Sequence, residues 1–412
     1  MIYSLLRIFF KLSLRLYFKR VHVHGLENIP KNKTVILASN HPNAFMDAYV
    51  IGAFYSSKIS TLVRSDVFIN KAVNVILGLF NLIPVYRSQE GVRNLHKNED
   101  SFDAAILRLR RGHAILIFSE GTSIMGKHLL PIKKGTARLA LKAKEQLDKE
   151  VVILPVGINY TAFIKQRSEV MLNFGKPIEI NTYLEQEEQS AVVVKKITDE
   201  IRLRLLEEIN CIDKDKTFVT ESVLTWFRNQ LTHQNNHWVY FNKERFLRER
   251  RVINSVNELP EQERTNLSSS VENISLPDRS SLFTIHRRSK VLFYGQLLIT
   301  LPLVLFGFII YSATFGLADI ICKAKVKEIE FFASIKLSIA MIAYLVFALL
   351  LLTCTHFKYS ILILLLSSLS SFWYSYILDE WSTIASEKRS KIYNQKHTEE
   401  MTTFKRSVKT IF

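Results

Sequence analysis

Three long uncharged segments in the last third of this 412-residue chain constrain its fold more than any other feature. They cover residues 291–318, 337–357 and 359–378, which are 28, 21 and 20 residues long. A helix needs about 20 apolar residues to cross the hydrocarbon core of a bilayer. Because uncharged runs of this length are rare in the core of a soluble domain, the sequence predicts a membrane-embedded protein.

The charge and cysteine content narrow the class of partners. A formal net charge of +17 indicates an acidic partner, and beside long apolar segments an anionic lipid surface is the expected one. No zinc-type spacing or RNA-binding motif is present, so no nucleic acid is expected. Cys211, Cys322 and Cys354 lie far apart, which predicts no disulfide framework and no metal site and favours a reducing cytoplasmic face.

Composition divides the chain into five predicted regions. Residues 1–20 carry a basic residue at every fourth position among apolar ones, which predicts a helix in the membrane interface with its cations on lipid headgroups. The alternative is an amphipathic helix packed on the protein. The other regions are an α/β domain with a basic helical extension at 21–250, a mobile linker at 251–285, membrane segments at 286–381 and a basic cytoplasmic tail at 382–412.

The membrane segments can be oriented from their flanking charges. Basic residues on both sides of segment 291–318 favour a re-entrant or broken hairpin that does not cross, and a simple three-pass arrangement is the competing hypothesis. Only Lys358 separates the second and third segments, so they are expected to form a helical hairpin.

The first half of the chain alternates short β-rich runs with helical patterns. The runs at 35–39, 114–118 and 151–156 are typical of buried strands, and 104–111 and 136–147 are typical of helices. This alternation predicts an α/β fold, layered around a central, largely parallel sheet.

A histidine and a carboxylate follow the first of these predicted strands. His41 comes directly after the apolar run, and Asp47 begins an amphipathic pattern. A carboxylate that bonds one imidazole nitrogen fixes the tautomer and leaves the other nitrogen to accept a proton. His41 and Asp47 are therefore candidate catalytic residues, although turn and helix-cap residues of these types also serve structure alone.

Three further cations are candidate phosphate ligands. Arg87 follows a short apolar run, and arginine binds phosphate bidentately. Lys133 and Lys134 stand at the entrance of a predicted helix, where the helix terminus also favours an anion. A surface arginine after a turn is the plain alternative for Arg87.

Two other strand ends supply candidate substrate-binding residues. The run ending in Glu120, Gly121 and Thr122 combines a carboxylate with a residue that lets a ligand approach the backbone. Pro155 and Gly157 suggest a shaped pocket wall, or they only terminate a strand.

In order along residues 20–180, these segments resemble the glycerolipid acyltransferase family, which includes lysophosphatidate and glycerol-3-phosphate acyltransferases. The matching stretches are NHPNAFMDA, IPVYR, FSEGTS and ILPVGINY. The NHPN form, with five residues between His41 and Asp47, is most similar to the yeast-type glycerol-3-phosphate/dihydroxyacetone-phosphate acyltransferases and their bacterial relatives. Ser123 stands where the family often has arginine, which shifts the expected phosphate contacts to the three cations.

The resemblance implies transfer of an acyl group from a thioester, acyl-CoA or acyl carrier protein, to a glycerol-phosphate hydroxyl in phospholipid biosynthesis. His41 would be the base, Asp47 its orienting acid, and Glu120 would position the glycerol backbone. No metal or other cofactor is expected. The sequence has no nucleophile-elbow motif, so a covalent acyl-enzyme is not expected either. The alternative is a membrane-anchored lipid-binding or scaffold protein with an inactive acyltransferase domain.

Overall fold

The computed structural model describes residues 2–67, 78, 81–86, 97–184, 190–230, 238–272, 289–396 and 398–409. Within these ranges the strands are β1 (Arg20–His24), β2 (Thr34–Ser39), β3 (Ile59–Arg64), β4 (Leu82–Val85), β5 (Ala114–Phe118), β6 (Val151–Tyr160), β7 (Glu169–Phe174), β8 (Ile178–Glu179) and β9 (Val239–Tyr240).

These strands form one sheet in the order β4-β3-β5-β2-β6-β7-β1-β9, with β8 beside β6. Neighbours are parallel except where β6 meets β7 and β8. All residues of β2 and β6 are buried, as expected for central strands with both faces covered. The prediction of an α/β fold with a central, largely parallel sheet is confirmed.

The helices of the described part are α1 (Ile2–Tyr17), α2 (Phe45–Phe54), α3 (Lys97–Arg110), α4 (Gly135–Gln146), α5 (Ser190–Glu208), α6 (Thr217–Gln230), α7 (Glu244–Glu258), α8 (Glu261–Glu272), α9 (Lys290–Ile299), α10 (Leu301–Tyr311), α11 (Leu317–Lys325), α12 (Phe332–Cys354), α13 (Phe357–Lys396) and α14 (Thr398–Lys409). A π-helical segment, Ser312–Gly316, joins α10 to α11.

Successive side chains of β2 enter different apolar cores. Val35 and Leu37 belong to a core that also contains residues of α1, α2 and α12, whereas Ile36 and Ala38 pack with residues of α3, α4 and α5. Strand side chains alternate between the two faces of a sheet, so one face meets the membrane-segment helices and the other meets soluble helices.

The basic side of α1 faces the protein. The Arg7 guanidinium donates to the Ser56 carbonyl at 2.6 Å, and Lys11 lies 5.0 Å from the centroid of the Phe54 ring. Apolar residues instead point outward, namely Leu5, Ile8 and Leu12. The prediction that the cations of this helix lie on lipid headgroups is therefore wrong for Arg7 and Lys11, because carbonyls just after α2 bind Arg7 and the ring of Phe54 in α2 contacts Lys11.

The predicted mobile linker is largely helical where the structure describes it. Helix α7 continues to Glu258, and α8 follows it. Val252, Val256 and Leu267 are buried in a cluster that Phe404 and Val408 of α14 complete. The linker prediction is wrong for residues 251–272, because apolar residues at helical spacing outweigh the polar composition; residues 273–288 lie outside the described part.

Three helical stretches are long and apolar enough to cross a membrane, namely Leu301–Lys325, Ile329–Cys354 and Phe357–Lys388. The first apolar segment breaks at Thr300, just before Pro302, and then runs on as one helical stretch. Two residues join α12 to α13, as the hairpin prediction requires. A Cβ on Gly307 would meet the Ser370 carbonyl oxygen at 2.1 Å, so small residues allow close contact between α10 and α13.

A largely buried ion pair connects these helices to the sheet domain. Arg167, between β6 and β7, donates from Nε to Oδ1 of Asp379 at 2.9 Å and from NH2 to Oδ2 at 2.5 Å. Its NH1 group donates to carbonyls at the end of α1, those of Arg15, Leu16 and Phe18. One guanidinium thus holds together the sheet, α1 and α13.

Candidate active site

The turn between β2 and α2 brings His41 and Asp47 together. Since β2 lies between β5 and β6, this turn emerges at the carboxyl edge of the sheet, where α/β proteins place their ligands. His41 Nδ1 lies 2.9 Å from Oδ2 of Asp47. The histidine side chain is 18% exposed and the aspartate is fully buried, so the other ring nitrogen is the one available to a substrate.

Two further donors hold the Asp47 carboxylate. The backbone N–H of Asn43 donates to Oδ2 at 2.9 Å, and the Tyr160 hydroxyl donates to Oδ1 at 2.8 Å. Tyr160 ends β6, which runs four residues beyond the point where Val156 pairs with Ser39 of β2. Tyr160 is not among the predicted site residues, because the predicted strand ends at 156 and the observed strand continues to this tyrosine.

The imidazole of His41 stacks on Phe118. The ring centroids are 3.8 Å apart and the planes differ by 9°. Phe118 ends β5 and pairs with Ser39, so parallel neighbours place the phenyl ring directly beside the turn. The stacking and the Asp47 contact together fix the plane of the imidazole.

Glu120 braces this turn from the next strand end. Its carboxylate accepts the backbone N–H of His41 at 3.0 Å and that of Leu130 at 3.3 Å. Burial is the main cause that raises the pKa of Glu120 from 4.5 to about 7. Each carboxylate oxygen thus accepts one backbone N–H, which ties Glu120 to the turn that carries His41. The predicted contact of Glu120 with the acceptor stays a prediction.

Ser123 supports the same turn from a third position. Its hydroxyl oxygen accepts the N–H of Ala44 at 2.9 Å, and Ala44 has a φ of 44°, which is unusual for a residue with a side chain. An arginine at 123 would lack this acceptor. The serine in this position therefore stabilises the chain turn between His41 and α2.

The Lys133 side chain lies close to Gly121, the residue that follows Glu120. The backbone of Lys133 donates to the Ser119 carbonyl at 2.8 Å, and a Cβ added to Gly121 would come within 3.2 Å of the Lys133 side chain. Gly121 has a φ of 71°, a left-handed conformation that favours glycine. The next residue, Thr122, is half-buried. Lys133 and Lys134 are exposed at the start of α4, where they could meet an anion.

Pro155 and Gly157 occupy a different position from the predicted one. They lie inside β6 and are buried, not at a strand end. A Cβ on Gly157 would come within 2.1 Å of the Glu208 carbonyl oxygen at the end of α5. The prediction of a pocket wall is wrong for these residues, because they serve sheet pairing and helix packing. Arg87 lies outside the described residues.

Comparisons with known proteins show which family the chain is similar to. A family model described as "Acyltransferase" matches residues 20–159. The chain is 30% identical over 183 residues to a 1-acyl-sn-glycerol-3-phosphate acyltransferase of Borreliella burgdorferi, which covers 44% of this chain and 67% of that protein. It is 32% identical over 130 residues to glycerol-3-phosphate O-acyltransferase 1 of Saccharomyces cerevisiae, covering 30% of this chain and 17% of the yeast protein.

A solved structure is also similar in part. The 1-acyl-sn-glycerophosphate acyltransferase PlsC of Thermotoga maritima is 22% identical, with a TM-score of 0.35, and the match covers 49% of this chain and 79% of that one. The matched part spans about two thirds of the Borreliella protein and less than a fifth of the yeast protein.

Proposed function

Because the chain belongs to the glycerolipid acyltransferase family, we propose that it transfers a fatty acyl group from an acyl thioester to the hydroxyl of a glycerol-phosphate acceptor. The acceptor is glycerol-3-phosphate or 1-acylglycerol-3-phosphate. The observation that carries this proposal is the 2.9 Å contact of His41 with the buried Asp47 at the carboxyl edge of the sheet. A neutral imidazole oriented in this way is a general base.

The proposed reaction needs no covalent enzyme intermediate. The acceptor oxygen attacks the thioester carbonyl carbon while the second imidazole nitrogen of His41 takes the hydroxyl proton. The tetrahedral intermediate collapses, the C–S bond breaks, and the thiolate leaves with the proton returned by the imidazolium. Asp47 stabilises the imidazolium while it exists, and Tyr160 keeps the carboxylate in place.

The acceptor phosphate is assigned to the basic groups at the same edge. Lys133 and Lys134 are exposed beside the catalytic turn, and the positive end of α4 adds to their field. Arg87 is a further candidate on sequence grounds alone. Two lysines and a helix terminus are a chemically reasonable site for a dianionic phosphate.

The proposed location is a membrane, with the sheet domain on its cytoplasmic face. Three apolar helical stretches of sufficient length support membrane association. The first stretch has basic residues on both sides, Lys290 before it and Lys323, Lys325 and Lys327 at and just after its end. Because cytoplasmic loops carry an excess of such residues, we assign both ends to the cytoplasm in the re-entrant arrangement, which keeps the sheet domain on the cytoplasmic face.

The direct test is an assay of the purified protein with two donors, acyl-CoA and acyl carrier protein, and three acceptors, glycerol-3-phosphate, dihydroxyacetone phosphate and lysophosphatidate. We expect acceptor-dependent release of free thiol together with an acylated product. Absence of thiol release with all six pairs would overturn the proposal and favour a lipid-binding or scaffold role.

A further inference from the structure

An asparagine stands on each side of the His41–Pro42 pair, and the structure buries both side chains. Asn40 is 7% exposed and Asn43 is fully buried. Burying an amide costs free energy unless its polar atoms find hydrogen-bond partners. The partners of these two amides lie on β6 and in the segment that follows it.

The amide of Asn40 bonds both polar backbone groups of Ile158. Its Nδ2 donates to the Ile158 carbonyl at 3.0 Å, and its Oδ1 accepts the Ile158 N–H at 2.9 Å. Backbone pairing of β2 with β6 ends where Ser39 lies beside Val156. The Asn40 side chain therefore continues the hydrogen bonding between the two strands while the main chain leaves the sheet toward His41.

Asn43 ties the other end of the turn to the segment after β6. Its Nδ2 donates to the Phe163 carbonyl at 2.9 Å, and its backbone N–H donates to Oδ2 of Asp47 at 2.9 Å. That carboxylate oxygen is also the one in contact with Nδ1 of His41. A displacement of Asn43 would therefore move a donor that holds the carboxylate beside the imidazole.

The two asparagine contacts lie on either side of Tyr160 in the chain, and the Tyr160 hydroxyl donates to Asp47. All three contacts reach the turn from β6 or the residues just after it, whereas β5 and its end supply Phe118 and Glu120 on the other side. Because β2 lies between β5 and β6, the turn is held from both sides. A misplacement of about 1 Å in a catalytic group can lower a rate by about 10²-fold, so these contacts bear on turnover.

We propose that Asn40 and Asn43 are positioning residues that set the geometry of the His41–Asp47 pair by fixing the turn to β6. The inference rests on the proposed acyl transfer and extends it to two buried residues that act through the base and its carboxylate. Loss of either amide contact should therefore lower kcat and leave KM nearly unchanged. An amide that bound the acceptor itself would instead raise KM when removed.

Asn43→Ala tests the contact after β6, and Asn173→Ala is its matched control. Each substitution removes a buried amide whose Nδ2 donates to a backbone carbonyl at 2.9 Å, that of Phe163 for Asn43 and that of Glu208 for Asn173. Asn173 lies on β7, which borders β6 on the side away from β2. Kinetics of the full-length proteins use the donor and acceptor that give the fastest thiol release, and thermal unfolding in detergent measures stability.

We expect Asn43→Ala to lower kcat by about 10-fold to 100-fold while KM stays within about twofold of the wild type. Asn173→Ala should keep kcat within about twofold even though it also loses a buried hydrogen bond. An unchanged kcat in folded Asn43→Ala, or an equal loss in both variants, would overturn the proposal, because the amide would then serve stability alone. A rise in KM alone would overturn it as well.

Asn40→Asp tests the contact on β6 with an isosteric side chain. A neutral carboxylic acid has one O–H donor and an acceptor and can form both bonds to Ile158, whereas the ionised form only accepts. Burial raises the pKa of such a carboxyl, so its neutral form returns as pH falls. His41, Asp47 and Glu120 titrate in both proteins, so the ratio of variant to wild-type kcat isolates the new carboxyl.

We expect this ratio to rise by about tenfold as pH falls. A ratio that does not change with pH in the folded variant would overturn the role of Asn40. If Asn43→Ala does not fold, the Asn40→Asp profile still decides whether the turn acts through its contacts with β6. Failure of the proposed function is separately visible, because the wild-type protein would then release no thiol with any donor and acceptor.

Discussion

Two carboxylates, the buried Asp47 and the largely buried Asp379, pair with basic side chains in different ways. Asp47 takes the Nδ1 side of His41, a backbone N–H and the Tyr160 hydroxyl, and the other imidazole nitrogen remains outside this network. Asp379 takes two groups of Arg167, whose remaining NH1 bonds to carbonyls of α1.

The difference explains why the His41–Asp47 pair suits proton transfer and the Arg167–Asp379 pair suits holding helices on the sheet domain. Imidazole gains and loses a proton near neutral pH, whereas a guanidinium in a protein stays protonated. The first pair leaves one imidazole nitrogen, on a side chain that is 18% exposed, at the carboxyl edge of the sheet. The second uses its donors to hold α1 and α13 on the domain. The predictions below break one pair or the other, from the largest expected effect to the smallest.

Replacing His41 with alanine removes the proposed base. We expect the turnover rate to fall by about 10³-fold or more while the amount of protein in the membrane is unchanged. Free-thiol release measures the rate. His113→Ala is the control, because His113 precedes β5 at the opposite edge of the sheet and bonds Ser60. Near-normal turnover in both His41→Ala and Asp47→Ala would refute the assigned roles.

Replacing Asp379 with alanine leaves the buried Arg167 charge without its partner. The two side chains are 12% and 9% exposed, so we expect the free energy of unfolding to fall by about 3–5 kcal/mol. Thermal unfolding in detergent measures the loss. The double variant Arg167→Met, Asp379→Leu should recover part of it, since no unpaired charge remains. If Asp379→Ala were as stable as the wild type, the ion pair would not be what holds α13 on the sheet domain.

Glu120→Gln tests the contact of the Glu120 carboxylate with the His41 backbone by its effect on how stability depends on pH. The pKa of Glu120 is raised from 4.5 to about 7 in the folded protein by burial, so the folded state binds more protons than the unfolded chain between these values. Stability of the wild type should therefore decline as pH rises from 4.5 to 7, by at most about 3 kcal/mol from this group, and then level off.

The Gln variant lacks this titration, so its stability relative to the wild type should increase over the same pH interval. Parallel unfolding curves at pH 5 and pH 8 for the two proteins would contradict the raised pKa. Isosteric Gln keeps an oxygen acceptor for one backbone N–H, which limits other effects of the change.

Tyr160→Phe removes one hydrogen bond to Asp47 and keeps the ring. We expect kcat to fall by about tenfold with KM little changed, because the carboxylate loses orientation but His41 retains its partner. Steady-state kinetics measure this. Tyr17→Phe is the control, since the Tyr17 hydroxyl donates to the Ile164 carbonyl instead. A change in KM alone would argue against an effect through Asp47.

Local pattern was enough to predict several features. The β-rich runs at 35–39, 114–118 and 151–156 lie in β2, β5 and β6, and the sheet is largely parallel. His41 and Asp47 are six residues apart, so a single turn brings them into contact. The apolar length of the last third likewise identified three helical stretches able to cross a membrane.

Composition misled where tertiary contacts decide. Residues 251–272 look polar but pack through Val252, Val256 and Leu267 against α14. The basic stripe of α1 suggested lipid headgroups, but Arg7 donates to a carbonyl just after α2 and Lys11 contacts the Phe54 ring of α2. In both cases the polar or charged residues of a segment gave no information about the part of the protein that the segment packs against.

Sequence by itself thus determined the α/β class, the apolar helical stretches and the His41–Asp47 pair, because periodicity, length and short spacing are properties of contiguous residues. Tertiary structure alone decided the contacts between residues that are distant in sequence. Tyr160 lies 113 residues from Asp47, and Asp379 lies 212 residues from Arg167. Only the order of strands in the sheet and the docking of α13 bring such distant side chains within hydrogen-bonding distance.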